Sequence, residues 1–377
     1  MLNINSLEIE NNFGILKFID HLWCRLLQSY LREFSKFKCP KGVIILANKR
    51  FIVTGGSGYV GQFLIRKLAK LYPEIQIHNL DINQPSKIET SNHSFHKVDL
   101  RKKESVESFS FSKDDIVFHL AAYIITPETP SKKGARLAWY ESLNVHGTQN
   151  LIDAMKKKGT RDIAFLSSDM VYGLPQMTPI KVNHPLSPNG PYGVSKLKAE
   201  KIITDFGQQK DCRSIIFRPR LIIGPDRLGI LGKLFFLVKN NLPVPLIGSG
   251  NNVYQFISVH DCVDALIEFY KQEKSSGIYN LGSVNPPKVK DLMRSLVKEA
   301  NSNSLVIPTW GKGVKAILHF LDAINLTLIY PEQFELADQN NILDITELKD
   351  GLKIVPKYDD KDMLFDAYKS FYQSIDR

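Results

Sequence analysis

Thr54-Gly-Gly-Ser-Gly-Tyr-Val-Gly61 follows directly on the apolar run Phe51-Ile-Val53, and a helical pattern begins at once after it. Gly55, Gly58 and Gly61 form a G-x-x-G-x-x-G ladder, and Gly56, Gly58 and Gly61 also satisfy G-x-G-x-x-G. Glycine is needed there for a tight strand-to-helix turn, for close backbone approach to a pyrophosphate, and for close helix–sheet contact. The helix N-terminus adds free N–H groups and partial positive charge for the phosphates. Asp81 ends the next apolar segment, Ile75-Gln-Ile-His-Asn-Leu-Asp81, twenty residues past Gly61. A carboxylate at that place accepts hydrogen bonds from adenosine ribose hydroxyls and repels a 2′-phosphate, so the expected ligand is NAD rather than NADP. Each feature alone is a common turn or helix cap. Strand before, helix after and acid beyond together predict a dinucleotide site.

Outward from this motif, short apolar runs alternate with longer helical stretches. Phe51–Val53, Ile75–Leu80, Phe95–Val98, Ile116–Leu120, Ile163–Leu166 and Ser214–Phe217 read as buried strands, with helical patterns near 58–71, 136–157 and 192–208 between them. Such alternation predicts an α/β fold with a parallel sheet covered on both faces. Beyond Pro225 the pattern loosens. A helix near 229–239, a turn-rich stretch at Gly248–Asn252, a strand-then-helix unit at 254–270 and an apolar helix at Val314–Ile329 are expected. At the other end, Ile15, Ile19, Leu22, Trp23, Leu26, Leu27, Tyr30 and Phe34 recur at helical spacing, which predicts an amphipathic helix. Its apolar face would pack on the body or on a second subunit, or lie on a membrane surface.

With 377 residues the chain is too long for one core, which stops growing near ~250–300 residues, so two lobes are expected. Lys and Arg exceed Asp and Glu by 10, which favours anionic partners without choosing among them. No zinc-finger, helix-turn-helix or RNA-recognition motif accompanies that charge, and nucleic acid is not an expected partner. Cys24, Cys39, Cys212 and Cys262 form no CxxC pair, and the nine histidines show no metal spacing. A reducing compartment, no disulfide framework and no metal are therefore expected. No apolar run approaches the ~18 residues of a membrane span and no secretory signal is evident, so the chain reads as cytoplasmic, with peripheral membrane contact through residues 15–34 left open.

Tyr192 and Lys196 stand four apart in Pro191-Tyr-Gly-Val-Ser-Lys196, on one face of a predicted helix. A free tyrosine, pKa about 10, is a poor base at neutral pH, and a neighbouring ammonium favours its phenolate. Ser167-Ser168-Asp-Met-Val-Tyr172 falls at the C-terminal end of the fifth strand, the edge where open α/β sheets gather their reactive groups. Ser168 would hydrogen-bond the substrate oxygen that Tyr192 deprotonates. In its wider order the chain then resembles the extended short-chain dehydrogenase/reductase superfamily, and within it the NAD-dependent epimerase/dehydratase family. The likeness is carried by the glycine ladder, Asp81, His119-Leu-Ala-Ala122, Asn144-Val-x-Gly-Thr-x-Asn150, Ser168 with Val171-Tyr172-Gly173, Tyr192-Gly-x-Ser-Lys196 and Arg218-Pro219, and spans roughly residues 49–375.

The resemblance implies a Rossmann-type doubly wound parallel sheet over 48–225 and 253–285. A smaller, discontinuous α+β substrate lobe would cover 226–252 and 286–377, with residues 1–47 as a helical extension, and the assembly would be a homodimer. It implies that Gly55, Gly58, Tyr59, Val60 and Gly61 line the pyrophosphate, Asp81 the ribose, and Asp99 with Leu100 the adenine. Ala121, Ala122, Asn144 and Pro219 would lie along the cofactor. Ser168, Tyr192 and Lys196 would be catalytic, with Lys196 holding the nicotinamide ribose and biasing Tyr192. The expected reaction is oxidation of a secondary alcohol to a ketone and its re-reduction, on a nucleotide sugar. Three departures bear on this: Met170 stands where 4,6-dehydratases carry the second acid of a pair with Asp169, Leu221 where many members have asparagine, and Tyr254 where an arginine often grips the diphosphate. The segment Arg218-Pro-x-x-Ile-Ile-Gly-Pro225 is similar to the 3β-hydroxysteroid dehydrogenase-like branch, which keeps a lipophilic alcohol open as the substrate. A non-catalytic NAD-binding regulatory protein is a third reading, disfavoured by the presence of Ser168, Tyr192 and Lys196.

Overall fold

The computed structural model describes residues 49–375, apart from 86–87, 89, 127, 228–230, 273–275 and 327–328. The helix expected over 15–34 lies outside the described residues. Seven parallel strands form the main sheet: β1 (Arg50–Thr54), β2 (Gln76–Asp81), β3 (His93–Lys97), β4 (Asp115–His119), β5 (Asp162–Leu166), β6 (Arg213–Pro219) and β10 (Gly277–Leu281). Their order across the sheet is β10-β6-β5-β4-β1-β2-β3. Two helices and three short strands separate β6 from β10 among the described residues, the strands being β7 (Leu221–Ile223), β8 (Val244–Leu246) and β9 (Phe256–Ser258).

Burial on both faces explains the continuous apolar strands. Phe51 and Val53 of β1 point to one face and meet α1 (Tyr59–Leu71) and α7 (Val259–Lys271). Ile52 points to the other and meets α4 (His146–Lys158) and α5 (Pro191–Gly207). The chain runs outward from β1 through β2 to β3, then returns to place β4 on the other side of β1. That reversal leaves a crevice beyond the carboxyl ends of β1 and β4, where ligands of such sheets bind. A separate apolar core joins α6 (Leu231–Lys239), α8 (Val289–Glu299) and α12 (Asp360–Ile375) to β8.

Two helical stretches differ from the expected spans. The pattern at 136–157 is two helices, α3 (Lys133–Asn144) and α4, broken at Val145. There Thr148 Oγ donates to the Asn144 carbonyl at 2.7 Å while the Asn144 side chain ties back to Tyr123, and the axis shifts. The apolar helix starts and ends earlier than its composition suggests, as α9 (Gly311–Ala323). Asn325 in the left-handed conformation, φ 61°, and the Leu326 N–H to Leu321 carbonyl bond of 2.8 Å close its C-terminus. Asp322, a polar residue in an apolar stretch, is buried because it pairs with Arg136 at 3.0 Å.

One ion pair fixes α5 to the sheet. Arg218 on β6 grips Glu200 on α5 with two bonds, Nε–Oε1 at 2.9 Å and a terminal nitrogen to Oε2 at 2.7 Å, and both side chains are buried. Ser167 Oγ donates to the same carboxylate at 2.6 Å. Removing one partner of such a pair leaves an uncompensated buried charge, which costs about 3–5 kcal/mol. We therefore expect Arg218→Met to lower unfolding stability by about 3–5 kcal/mol, read from denaturant midpoints, and Arg218→Met with Glu200→Leu to recover most of it.

Candidate active site

The glycine turn is built as its sequence predicts. Gly55 has φ 70°, and a Cβ there would come within 2.6 Å of the Ala121 backbone. At Gly61 a Cβ would meet the Gly55 carbonyl oxygen at 2.4 Å, so the first turn of α1 can press against the end of β1 only without a side chain. Asp81, at the end of β2, accepts from the Ser57 N–H at 3.1 Å and the Asn83 N–H at 3.0 Å. These bonds aim its carboxylate beside the turn and leave lone pairs for a ribose. The residues present fit a dinucleotide.

Beyond the turn opens a cavity of about 520 Å³. Gly55, Gly58, Tyr59, Val60, Gly61, Ala122, Ser168, Tyr192, Lys196 and Pro219 all line it, so one wall gathers the predicted catalytic residues and most of the predicted cofactor residues. Asp81, Asp99, Leu100, Ala121 and Asn144 lie outside its walls. Asp99 holds Arg101 through two bonds of 2.9 and 2.8 Å, and Leu100 is buried in the core. The Asn144 amide accepts from the Tyr123 N–H and donates to the Tyr123 carbonyl and to Ser195 Oγ, which locks the β4–α3 connection to α5.

Tyr192 and Lys196 share the inner face of α5 and are both buried. Burial pushes the Tyr192 phenol up to about 12, against the pull of a Ser168 hydrogen bond and the Arg227 charge. Burial also brings the Lys196 ammonium down to about 7, with Glu200 acting in the opposite direction. Lys196 Nζ donates to the Leu166 carbonyl at 2.7 Å and lies 4.1 Å from the centre of the Phe165 ring. Arg227, which sequence spacing did not single out, also pulls the Tyr192 pKa down, while Lys196 is held against the end of β5.

The other walls come from the loosely patterned segments. Leu231, Leu234, Val244, Leu246, Leu292, Met293 and Leu336 make them apolar. Four charged groups interrupt them. Asp169 and Arg220 pair with each other, and Arg220 lies over the Tyr254 ring, 4.4 Å from its centre. Glu332 and Arg227 are not paired with each other, and the cation that acts on Glu332 is Arg136. Glu332, at the start of α10 (Pro331–Phe334), is buried and accepts from the Tyr192 N–H at 3.4 Å, and its burial raises its pKa. Glu332 sits in a stretch without a motif. Arg227 follows Gly224-Pro225 by two residues, a basic residue at a motif's edge that could have been noticed.

A protein-family model, NAD dependent epimerase/dehydratase family, matches residues 51–282. The chain belongs to the NAD-dependent epimerase/dehydratase family. It is 29% identical over 309 residues to UDP-glucose 4-epimerase 2 of Oryza sativa subsp. japonica, covering 72% of this chain and 75% of that one. It is 29% identical over 270 residues to the dTDP-D-glucose 4,6-dehydratase of Homo sapiens, covering 68% of this chain and 76% of the relative. The crystal structure of the UDP-glucose 4-epimerase of Thermotoga maritima with UDP-glucose superposes with a TM-score of 0.68 at 22% identity, over 86% of this chain and 99% of that chain. The chain is an enzyme of this family with NAD as its cofactor, and its fold class is as expected. Among the described residues no helix is long and apolar enough to cross a membrane.

A lysine whose pKa is lowered in the folded state costs stability while it is forced to hold a proton. Below about pH 7 the folded protein pays that cost in full, and it is relieved progressively as pH rises from about 7 toward the ordinary lysine value. We expect the stability of Lys196→Met relative to the native chain to fall between pH 6.5 and pH 9.5, read from denaturant midpoints of both proteins.

Proposed function

We propose that this family member is an NAD-dependent epimerase that acts at one secondary-alcohol carbon of a nucleotide sugar through a transient ketone. The observation that carries the reading is the convergence of Ser168, Tyr192 and Lys196 on one cavity that begins at the glycine turn. Ser168 holds the reacting oxygen and Tyr192 takes its proton. Lys196, deprotonated above about pH 7 before ligand binds, is close enough to a change of charge to respond to what enters beside it. NAD, when bound, supplies the hydride acceptor for oxidation and the donor for re-reduction. Burial raises the Tyr192 pKa, so the phenolate that accepts the substrate's proton would need nearby positive charge, from Arg227 and from the oxidised cofactor when bound. Glu332 supports a polyol: a buried carboxylate beside Tyr192, on the cavity wall, can accept from a hydroxyl next to the reacting carbon. Dehydration by an acid pair is not part of this proposal, because Met170 carries no carboxyl and Asp169 is spent on Arg220.

The apolar walls favour a second reading, a lipophilic alcohol oxidised to a ketone that leaves. A panel of UDP-, GDP- and dTDP-sugars beside a steroid alcohol separates the two. Conversion of a sugar to its epimer, with NAD unchanged overall, is the expected result; net NADH production from the steroid alone would transfer the assignment to the second reading. On the substrate so found, Tyr192→Phe is expected to lower kcat by about 10²–10⁴ while leaving NAD affinity within a few fold, because it removes the proton acceptor and little else.

A further inference from the structure

Two polar side chains, Tyr59 and Arg227, meet at the seam between the glycine turn and the segment after β7. Among the described residues the buried Tyr59 hydroxyl has no hydrogen-bond partner. The half-buried Arg227 guanidinium lies over the Tyr59 ring, 5.2 Å from its centre. The groups that favour its charge are the Tyr59 and Tyr192 phenols rather than any carboxylate. Both residues line the reactive cavity, beside Gly58 and the first turn of α1.

The backbone is bent to bring them together. Gly224 has φ 153°, and a Cβ on it would approach the Tyr59 hydroxyl oxygen to 2.9 Å. Asp226 is held in the left-handed region, φ 65°, where a non-glycine residue is strained. Ser370 on α12 secures that turn: its hydroxyl accepts from the Asp226 N–H at 3.0 Å and donates to the Asp226 carboxylate at 2.5 Å. The acid next to Arg227 is therefore turned to Ser370, while Arg227 lines the cavity over the Tyr59 ring.

We propose that Arg227 and the Tyr59 hydroxyl together form a diphosphate clamp at the glycine-turn end of the cavity. A guanidinium fork and a phenolic hydroxyl are both donors, and a diphosphate offers several anionic acceptors within a few ångströms. The clamp also answers the exchange of arginine for Tyr254, since a cation reaches the cavity from a different segment. Two molecules carry that group here, NAD and a nucleotide sugar. Only the second source rests on the function proposed above.

Isothermal titration of the full chain with NADH, and of NAD-saturated protein with UDP and with uridine, tests the clamp. Arg227→Gln is expected to weaken NADH or UDP at least tenfold, with uridine unchanged and Arg227→Lys intermediate. Tyr59→Phe is expected to weaken the same ligand by a smaller factor. Loss confined to NADH identifies the cofactor's diphosphate, and loss confined to UDP identifies the substrate's. Circular dichroism of each variant excludes unfolding, and Arg227→Lys carries the test if Arg227→Gln fails to fold. Binding of every diphosphate within twofold of the native chain overturns the clamp. A chain that binds no UDP, yet loses NADH on Arg227→Gln, keeps the clamp and counts against the nucleotide-sugar reading instead.

Discussion

The position of the reactive groups depends on a charge pair that water does not reach. Glu200 on α5 and Arg218 on β6 hold each other behind the cavity, and Ser167 and Tyr172 complete the set of donors and acceptors around them. Tyr192, Lys196 and Glu200 are spaced four apart, so fixing the last fixes the direction of the first two. A buried pair of this kind adds little to net stability against an apolar substitute, yet strongly disfavours any arrangement that separates it. Its contribution here is the rotation and depth of one helix relative to the edge of the sheet. The neighbouring strand end adds the Leu166 carbonyl, which catches Lys196 at 2.7 Å.

Desolvation is the second organising effect, and it acts on every ionisable group at the cavity in the direction of neutrality. It raises Tyr192 and Glu332 and lowers Lys196 and Arg227. Groups shifted in this way respond to the charge a ligand brings beside them. His119 shows the same principle in a structural role. It is fully buried between the Thr54 and Thr148 hydroxyls, at 2.7 and 2.8 Å, and burial brings its pKa down to about 3. A neutral imidazole there ties β1, β4 and α4 together beside the glycine turn, so the histidine of the His119-Leu-Ala-Ala122 motif works through packing.

The division of labour between the sheet and the remaining segments follows from where order in the sequence comes from. Strands buried on both faces and helices with one apolar face impose periods of two and 3.6 on their residues, and these can be read directly. The glycine turn is legible for a harder reason: at Gly55 and Gly61 any Cβ would strike the backbone. The second lobe carries no such constraint. Its walls need only be apolar, and its polar groups, Arg220, Arg227 and Glu332, arrive singly from turns and a four-residue helix. The break at Val145 and the early end of α9 were hidden likewise, because each depends on a partner distant in sequence or on one left-handed residue.

Sequence alone determined six of the seven strands of the sheet, the dinucleotide turn with Asp81, and the pairing of Tyr192 with Lys196 on one helix face, since each rests on local spacing that backbone geometry makes obligatory. Only the tertiary structure decided the electrostatics of the cavity. It turned Lys196 toward Leu166, brought the Arg227 charge to bear on Tyr192, cancelled Asp169 with Arg220, and placed Glu332 from the far end of the chain against the start of α5. The physical reason is that a charge's influence depends on distance through space and on exclusion of water, and neither is encoded in spacing along the chain.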